Sequence, residues 1–307
     1  MGLDLTSRLV VGVASSALFD LREEDAIFER EGTDAYRAHQ RARLDDPLAP
    51  GVALPFVKRL LGLNAVRPQD PPVEVILLSR NDPDTGRRAM RSAAHHGLPI
   101  GRAAFLSGGD PHPFLPAFDC ELFLSAHEPH IRAAIAAGRP AGLAIPGALA
   151  EETADDQLRI AFDFDGVLAD DGSEAIFQSD GIDAFRAHEH AHRDAPLSPG
   201  PLKPFLSRLA AIQTLERSTE GYAPRIETAL VTARGAPAHE RVVTTLESWG
   251  VRLDQVFFLG GVEKTEVLKT LKPHIFFDDQ RAHLDRAAAH VPSVHIPFGV
   301  KNKAAEE

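Results

Sequence analysis

The sequence predicts an α/β protein of two tandem parallel-sheet domains, the second carrying a small helical cap insertion. Three observations carry that reading. Short apolar runs alternate with helix-compatible stretches, the pattern of a parallel sheet covered on both faces. A long internal repeat relates the first half of the chain to the second. One interval in the second half is too long for an ordinary strand-to-helix connection.

The apolar runs fall in the same order in each half. In the first they are Leu9–Ala14, Val73–Leu78, Ala103–Leu106, Leu122–Leu124 and Gly142–Ile145. In the second they are Leu158–Phe162, Ala229–Thr232, Val256–Leu259, His274–Phe277 and Ser293–Ile296. Each is short and apolar, as a buried strand requires. Helices are expected between them at Ala238–Trp249, Lys264–Leu271 and Arg281–His290. The stretch Pro140–Gly147 and the acidic Glu151–Asp156 mark a boundary near residue 150, so the expected domains are 1–150 and 151–307. About 55 residues, Asp170–Pro224, separate the first two strands of the second half. They hold two helix-compatible segments, Glu174–His192 and Pro201–Leu215, and are expected to stand above the sheet as a cap at about 170–224.

The repeat is explicit. IFEREGTDAYRAH at Ile27–His39 faces IFQSDGIDAFRAH at Ile176–His188, with 8 of 13 residues identical at an offset of 176 − 27 = 149. DPLAPG at Asp46–Gly51 faces APLSPG at Ala195–Gly200. Further on the offset is 153, where VILLS (Val75–Ser79) faces TALVT (Thr228–Thr232) and AAFLSG (Ala103–Gly108) faces VFFLGG (Val256–Gly261). A unit this long means two copies of one domain rather than a solenoid.

Composition narrows the partners. A net charge of −11 argues against a nucleic acid polymer. No run approaches the roughly 18 apolar residues of a membrane span, and the first residues read as a buried strand rather than a signal peptide. The single cysteine, Cys120, forms no internal disulfide and fits a reducing, cytoplasmic setting.

The chemistry gathers in the second half. IAFDFDGVLAD places Asp163 and Asp165 just beyond a buried strand, at the end where parallel sheets hold ligands. Two acids separated by one residue suit separate tasks, one attacking and one moving protons. Thr232 ends the second strand, and its hydroxyl with the next backbone amides, Ala233 first, suits a phosphate. Lys264 opens a helix, where its ammonium can neutralise a transferring phosphoryl group. Asp278 and Asp279 end another strand and, with Asp163, form an oxygen-rich set suited to Mg²⁺.

DFDGVL, a strand-end Thr, Lys and then Asp-Asp resemble the four motifs of the haloacid dehalogenase superfamily. The stretches GPLKPFL, LVTARG, KPHIFFDDQ and VPSVHIPFG resemble the cytosolic 5′-nucleotidases of type I. The likeness covers most of Leu158–Val300 and extends into the first half through SSALFDL and EGTDAYRAHQ. The resemblance implies Mg²⁺-dependent release of phosphate from nucleoside 5′-monophosphates such as AMP. It implies Asp163 as nucleophile, Asp165 as general acid and base, and Thr232, Ala233 and Lys264 around the phosphoryl oxygens. Asp163, Asp165 (through its carbonyl), Asp278 and Asp279 would hold or orient the metal. A phosphatase of another small ester and a nucleotide-binding regulatory protein are the alternatives.

At the repeat offsets the first half carries Ala14 for Asp163, Ser16 for Asp165, Ser79 for Thr232, Pro111 for Lys264, Ser125 for Asp278 and Ala126 for Asp279. It is therefore expected to be catalytically inactive. Covering apolar surface or forming a homo-oligomer contact is its plainer role, while Ser15, Ser16, Ser79 and Arg80 leave room for an anion. His188, His190 and His192 lie two apart, which spreads them around a helix and disfavours a shared metal. Phe177 and Phe185, repeated as Phe28 and Tyr36, are expected to pack in the core or stack on a base.

Overall fold

The computed structural model describes residues 5–151 and 153–302. The first half runs β1 (Leu9–Val13), α1 (Ser15–Leu18), α2 (Arg22–Ala42), α3 (Leu54–Gly62), β2 (Val73–Ser79), α4 (Pro83–His95), β3 (Arg102–Phe105), β4 (Cys120–Ser125), α5 (Glu128–Ala136) and β5 (Ala141–Ile145). The second runs β6 (Leu158–Phe162), α6 (Gly172–Ala191), α7 (Lys203–Ser218), β7 (Ile226–Thr232), α8 (His239–Ser248), β8 (Gln255–Phe258), α9 (Thr265–Leu271), β9 (Ile275–Asp278), α10 (Arg281–Ala287) and β10 (Ser293–His295). Every predicted strand is present, with bounds shifted by a few residues.

All ten strands join one sheet, in the order β3-β2-β1-β4-β5-β10-β9-β6-β7-β8. Within each half every pairing is parallel. The halves meet through the antiparallel pair β5–β10, with Val294 opposite Ala144. The repeat extends to register: Leu9 pairs with Val73 as Leu158 pairs with Ile226. Because the joint is antiparallel, the carboxyl ends of the two sets of strands lie at opposite edges of the sheet.

The two copies do not keep separate cores. One apolar cluster holds Leu9 and Phe56 from the first half together with Phe162, Phe205 and Phe277 from the second. Phe56 on α3 meets its repeat partner Phe205 on α7 edge-on, with ring centres 6.5 Å apart. The interval expected to form the cap therefore divides. α7 buries Phe205, Leu206 and Leu209 in the shared core, because its apolar face is needed to close the gap between the halves. Only α6 is left to stand over the site.

α2 and α6 each break at one glycine, Gly32 (φ 83°, ψ −174°) and Gly181 (φ 80°, ψ −174°). That backbone region is essentially closed to side-chain-bearing residues, so the repeated glycine makes the bend. The bend turns Phe28 toward Tyr36 and Phe177 toward Phe185, both pairs edge-on at 5.9 and 6.3 Å. Phe28 and Phe177 are exposed rather than core residues, because the bent helices leave them facing solvent.

Candidate active site

β6 ends at Phe162 in the middle of the second half's strands, and Asp163 follows at its carboxyl end. The Asp163 amide donates to the Phe277 carbonyl at 2.8 Å, so the neighbouring strand fixes the backbone there. β9 carries Asp278 as its last residue. Lys264, just before α9, is buried and bridges the two acids, with Nζ 2.9 Å from Asp163 Oδ2 and 2.7 Å from Asp278 Oδ2. His283 on α10 approaches Asp278 through Nδ1 at 3.1 Å, and the Gln280 amide donates to its other oxygen at 2.7 Å. Oxygens of Asp163 and Asp278 and a nitrogen of His283 lie within 4.8 Å of one another.

Three carboxylates around one buried ammonium are short of positive charge. Burial pushes the Asp163 carboxyl up to about 6, against the pull of Lys264 and with a push from Asp278. Burial also pushes Asp279 up to about 9, helped by Asp163 and Asp278. Asp278 moves the other way: burial opposes its charge, but Lys264 and His283 hold it below the ordinary range. Lys264 is raised despite burial, because both acids favour its charge.

Asp279 Oδ1 is buried with no hydrogen-bond partner, an exceptional state for a carboxylate. Its neighbour Gly166 has φ +71°, and a Cβ there would stand 2.8 Å from Asp279 Cγ. The chain thus passes against the carboxylate at a point only glycine allows. An oxygen donor set with one orphaned oxygen, short of positive charge, fits a hard divalent cation such as Mg²⁺.

Asp165 is turned elsewhere. Both its oxygens accept from Arg234, at 2.7 and 2.6 Å. Arg234 is buried, pairs also with Glu189, and lies over the rings of Phe164 and Phe185 at 5.5 and 5.4 Å. Glu189 is fully buried and accepts from Ser173 and Arg241, each at 2.8 Å. Thr232 ends β7, the strand beside β6. It is buried and takes the Arg234 amide on its hydroxyl at 3.2 Å, while Ala233 is exposed beside it.

The structure thus joins Asp163, Lys264 and Asp278 directly. It sets Asp279 against the same loop and places Thr232 and Ala233 at the adjoining strand end. The Asp165 side chain is tied to Arg234 instead. Sequence reasoning missed three participants. Arg234, beside Thr232 and Ala233, is buried rather than at the surface. Glu189 hid among the histidines of RAHEHAH. His283 is the third candidate ligand, and its repeat partner His130 was the available signal. His188 touches Glu189 at 3.2 Å, in keeping with a structural role, and its ring lies 4.2 Å from that of His192.

The sequence matches the family described as 5′-nucleotidase over residues 1–303. The chain belongs to the 5′-nucleotidase family. It is 35% identical over 286 residues to the human protein named cytosolic 5′-nucleotidase 1B, covering 91% of this chain and 47% of that relative. The chain therefore spans about half the length of the curated relative it matches. No solved structure matches it. The 5′-nucleotidase match runs through both halves, so the copy without acids belongs to the family pattern as much as the copy with them. Among the described residues, no helix is long and apolar enough to cross a membrane.

Proposed function

We propose that the chain is a Mg²⁺-dependent phosphomonoesterase acting on nucleoside 5′-monophosphates, with AMP the first candidate. The site is read as a haloacid dehalogenase-type centre in residues 151–307, capped by α6. The observation that carries this reading is the buried triangle of Asp163, Lys264 and Asp278 beside the unpartnered oxygen of Asp279.

Asp163 attacks phosphorus through a carboxylate oxygen, and the bond from phosphorus to the ester oxygen breaks. Asp165 gives that oxygen its proton, and nucleoside leaves. Water then attacks phosphorus, Asp165 takes a proton from it, and the acyl phosphate bond breaks to free phosphate and Asp163. Lys264 stays charged throughout and offsets the negative charge spread over the phosphoryl oxygens. The Thr232 hydroxyl and the amide of Ala233 hold those oxygens. Asp165 reaches the leaving oxygen after releasing at least one hydrogen bond to Arg234, which Glu189 retains. Asp163, Asp278, Asp279 and the Asp165 carbonyl would hold Mg²⁺, which when bound offsets the crowded carboxylates and the phosphoryl charge.

The test is phosphate release from AMP, other nucleoside monophosphates and sugar phosphates, with Mg²⁺ or with EDTA. Turnover of the nucleotides in Mg²⁺ alone is expected, and release confined to sugar phosphates overturns the substrate assignment. Asp163→Asn is expected to lower kcat by about 10⁴-fold or more, as loss of a covalent nucleophile does. Full activity in that variant removes the mechanism.

A further inference from the structure

The inactive half has a cavity where the active half has its acidic cluster. Its volume is about 400 Å³, and Ser15, Ser16, Arg80, Ser125, His127 and His130 are among its lining residues. It lies at the carboxyl ends of β1, β2 and β4. The antiparallel joint therefore puts it at the opposite edge of the sheet from Asp163.

The phosphate-holding framework of the active half survives there. Ser79 stands in the place of Thr232 and accepts the Asn81 amide on its hydroxyl at 3.2 Å, as Thr232 accepts that of Arg234. The Ser79 hydroxyl is tied to that of Ser15 at 2.9 Å, and Ser16 accepts the Ala126 amide at 3.3 Å. The carboxylates are what has gone. A phosphate dianion entering the active half without a cation would meet four acids; here it would meet Ala14, Ser16, Ser125 and Ala126.

Positive and hydrogen-bonding groups replace the acids. Arg80 is exposed at the cavity. The rings of His127 and His130 are 4.1 Å apart, and His127 Nδ1 is buried with no partner. Two acids also line the space. Asp82 is committed to Arg37 at 2.7 Å and to the Thr85 amide at 2.9 Å, and burial pushes the Asp25 carboxyl up, which disfavours its charge. The cavity is open because Asn81 is short where Arg234 is long. Phe28 and Tyr36 form its apolar side.

We propose that this cavity is a second ligand site, which binds a phosphorylated molecule bearing a planar ring, of the nucleoside monophosphate class, without a metal ion. The phosphate takes the Ser16, Arg80 and His127 end, and the ring lies on Phe28 and Tyr36. The volume suits a ligand of that size.

The full chain carrying Asp163→Asn, which cannot turn AMP over, is titrated with AMP and separately with inorganic phosphate in EDTA, by calorimetry. One AMP per chain is expected to bind. Arg80→Ala with His127→Ala is expected to weaken AMP and phosphate by about tenfold or more, the loss of a charge-assisted contact. Phe28→Ala is expected to weaken AMP and leave phosphate unchanged. Ser16→Asp, which restores the active half's carboxylate, is expected to repel both and keeps the test open if the double variant misfolds. No AMP binding in EDTA overturns the proposal, and so does binding that Arg80→Ala and Ser16→Asp both leave intact.

Discussion

The two halves solve the same burial problem with the same arginine and a displaced acid. In the second half Arg241 donates to Glu189, and Ser173 donates to the same oxygen. At the repeat offsets these become Arg88, Gln40 and Glu24. Arg88 donates to Glu24 at 2.8 Å and to Gln40 at 3.1 Å, and its Nε reaches the Asp46 carbonyl at 2.9 Å, as Arg241 reaches that of Ala195. The guanidinium and its backbone contact are kept, while the carboxylate moves from one helix position to another. Arg234 explains the move. Among the described residues the second half has a second buried arginine, Arg234, which pairs with Glu189 while Asp165 holds it through both oxygens. The structural requirement is one carboxylate near Arg241; the position of that carboxylate is set by the need to hold Arg234 against Asp165.

The largest expected effect comes from giving the active centre its inactive counterpart. Asp278→Ser leaves the Lys264 ammonium with Asp163 alone and removes a candidate metal ligand. AMP turnover is expected to fall by about 10³-fold or more. Steady-state kinetics check this, and a loss under tenfold would mean that the two halves differ in something other than their strand-end acids.

Next comes the displaced carboxylate. Glu189→Gln puts the first half's residue beside two buried arginines and is expected to cost about 3–5 kcal/mol, the usual penalty for an uncompensated buried charge. Adding Ser173→Glu recreates the Glu24–Gln40 arrangement and is expected to recover at least half of that loss in urea unfolding. Turnover is not expected to recover with it, because the restored acid no longer holds Arg234. A double variant as unstable as the single one would break the equivalence of the two networks.

The comparison was partly legible in the sequence. The positions of the strands along the chain and the alignment of the halves followed from local apolar runs and the repeat, both properties of short segments. The acids at 163, 165, 278 and 279 were legible because each follows a recognisable strand. The single shared sheet was not, because β5 and β10 are brief runs whose partner is set by packing far along the chain. The fate of α7 was missed for the same reason. Its apolar residues suit a cap or a core equally, and contacts of Phe205 with Phe56 of the other half and with Phe162 and Phe277 of its own decide between them. Arg234 and Glu189 were missed because burial of a charged pair depends on partners that no single stretch contains.

The glycine bends offer a smaller and symmetrical test. Gly32→Ala and Gly181→Ala each meet open space but a forbidden backbone angle, so each is expected to cost about 1–3 kcal/mol. The stabilities should match, since the angles do. Activity should separate them: Gly181→Ala disturbs α6 over the proposed catalytic acids, and Gly32→Ala lies on the far edge. Equal loss of turnover would show that the two helices act as one unit.

The smallest effect concerns a position where one half carries an acid and the other a histidine. Glu121 pairs with Arg208 at 2.6 Å, and its repeat partner His274 is buried, accepting the Arg159 amide on Nδ1 at 3.0 Å. Burial, together with the charges of Arg59 and Arg159, pushes His274 down from 6.5 to about 4. Between those values the unfolded chain binds the proton that the folded chain refuses, so stability must rise with pH there. The contribution is complete above about 6.5 and is lost as pH falls toward 4. His274→Gln keeps an acceptor for the amide and removes the titration. From pH 7.5 to pH 5 the unaltered chain should lose about 2 kcal/mol more than this variant, a difference of about 3 °C in Tm. Parallel melting curves would place the pH sensitivity of this seam elsewhere, with Glu121 the next residue to replace.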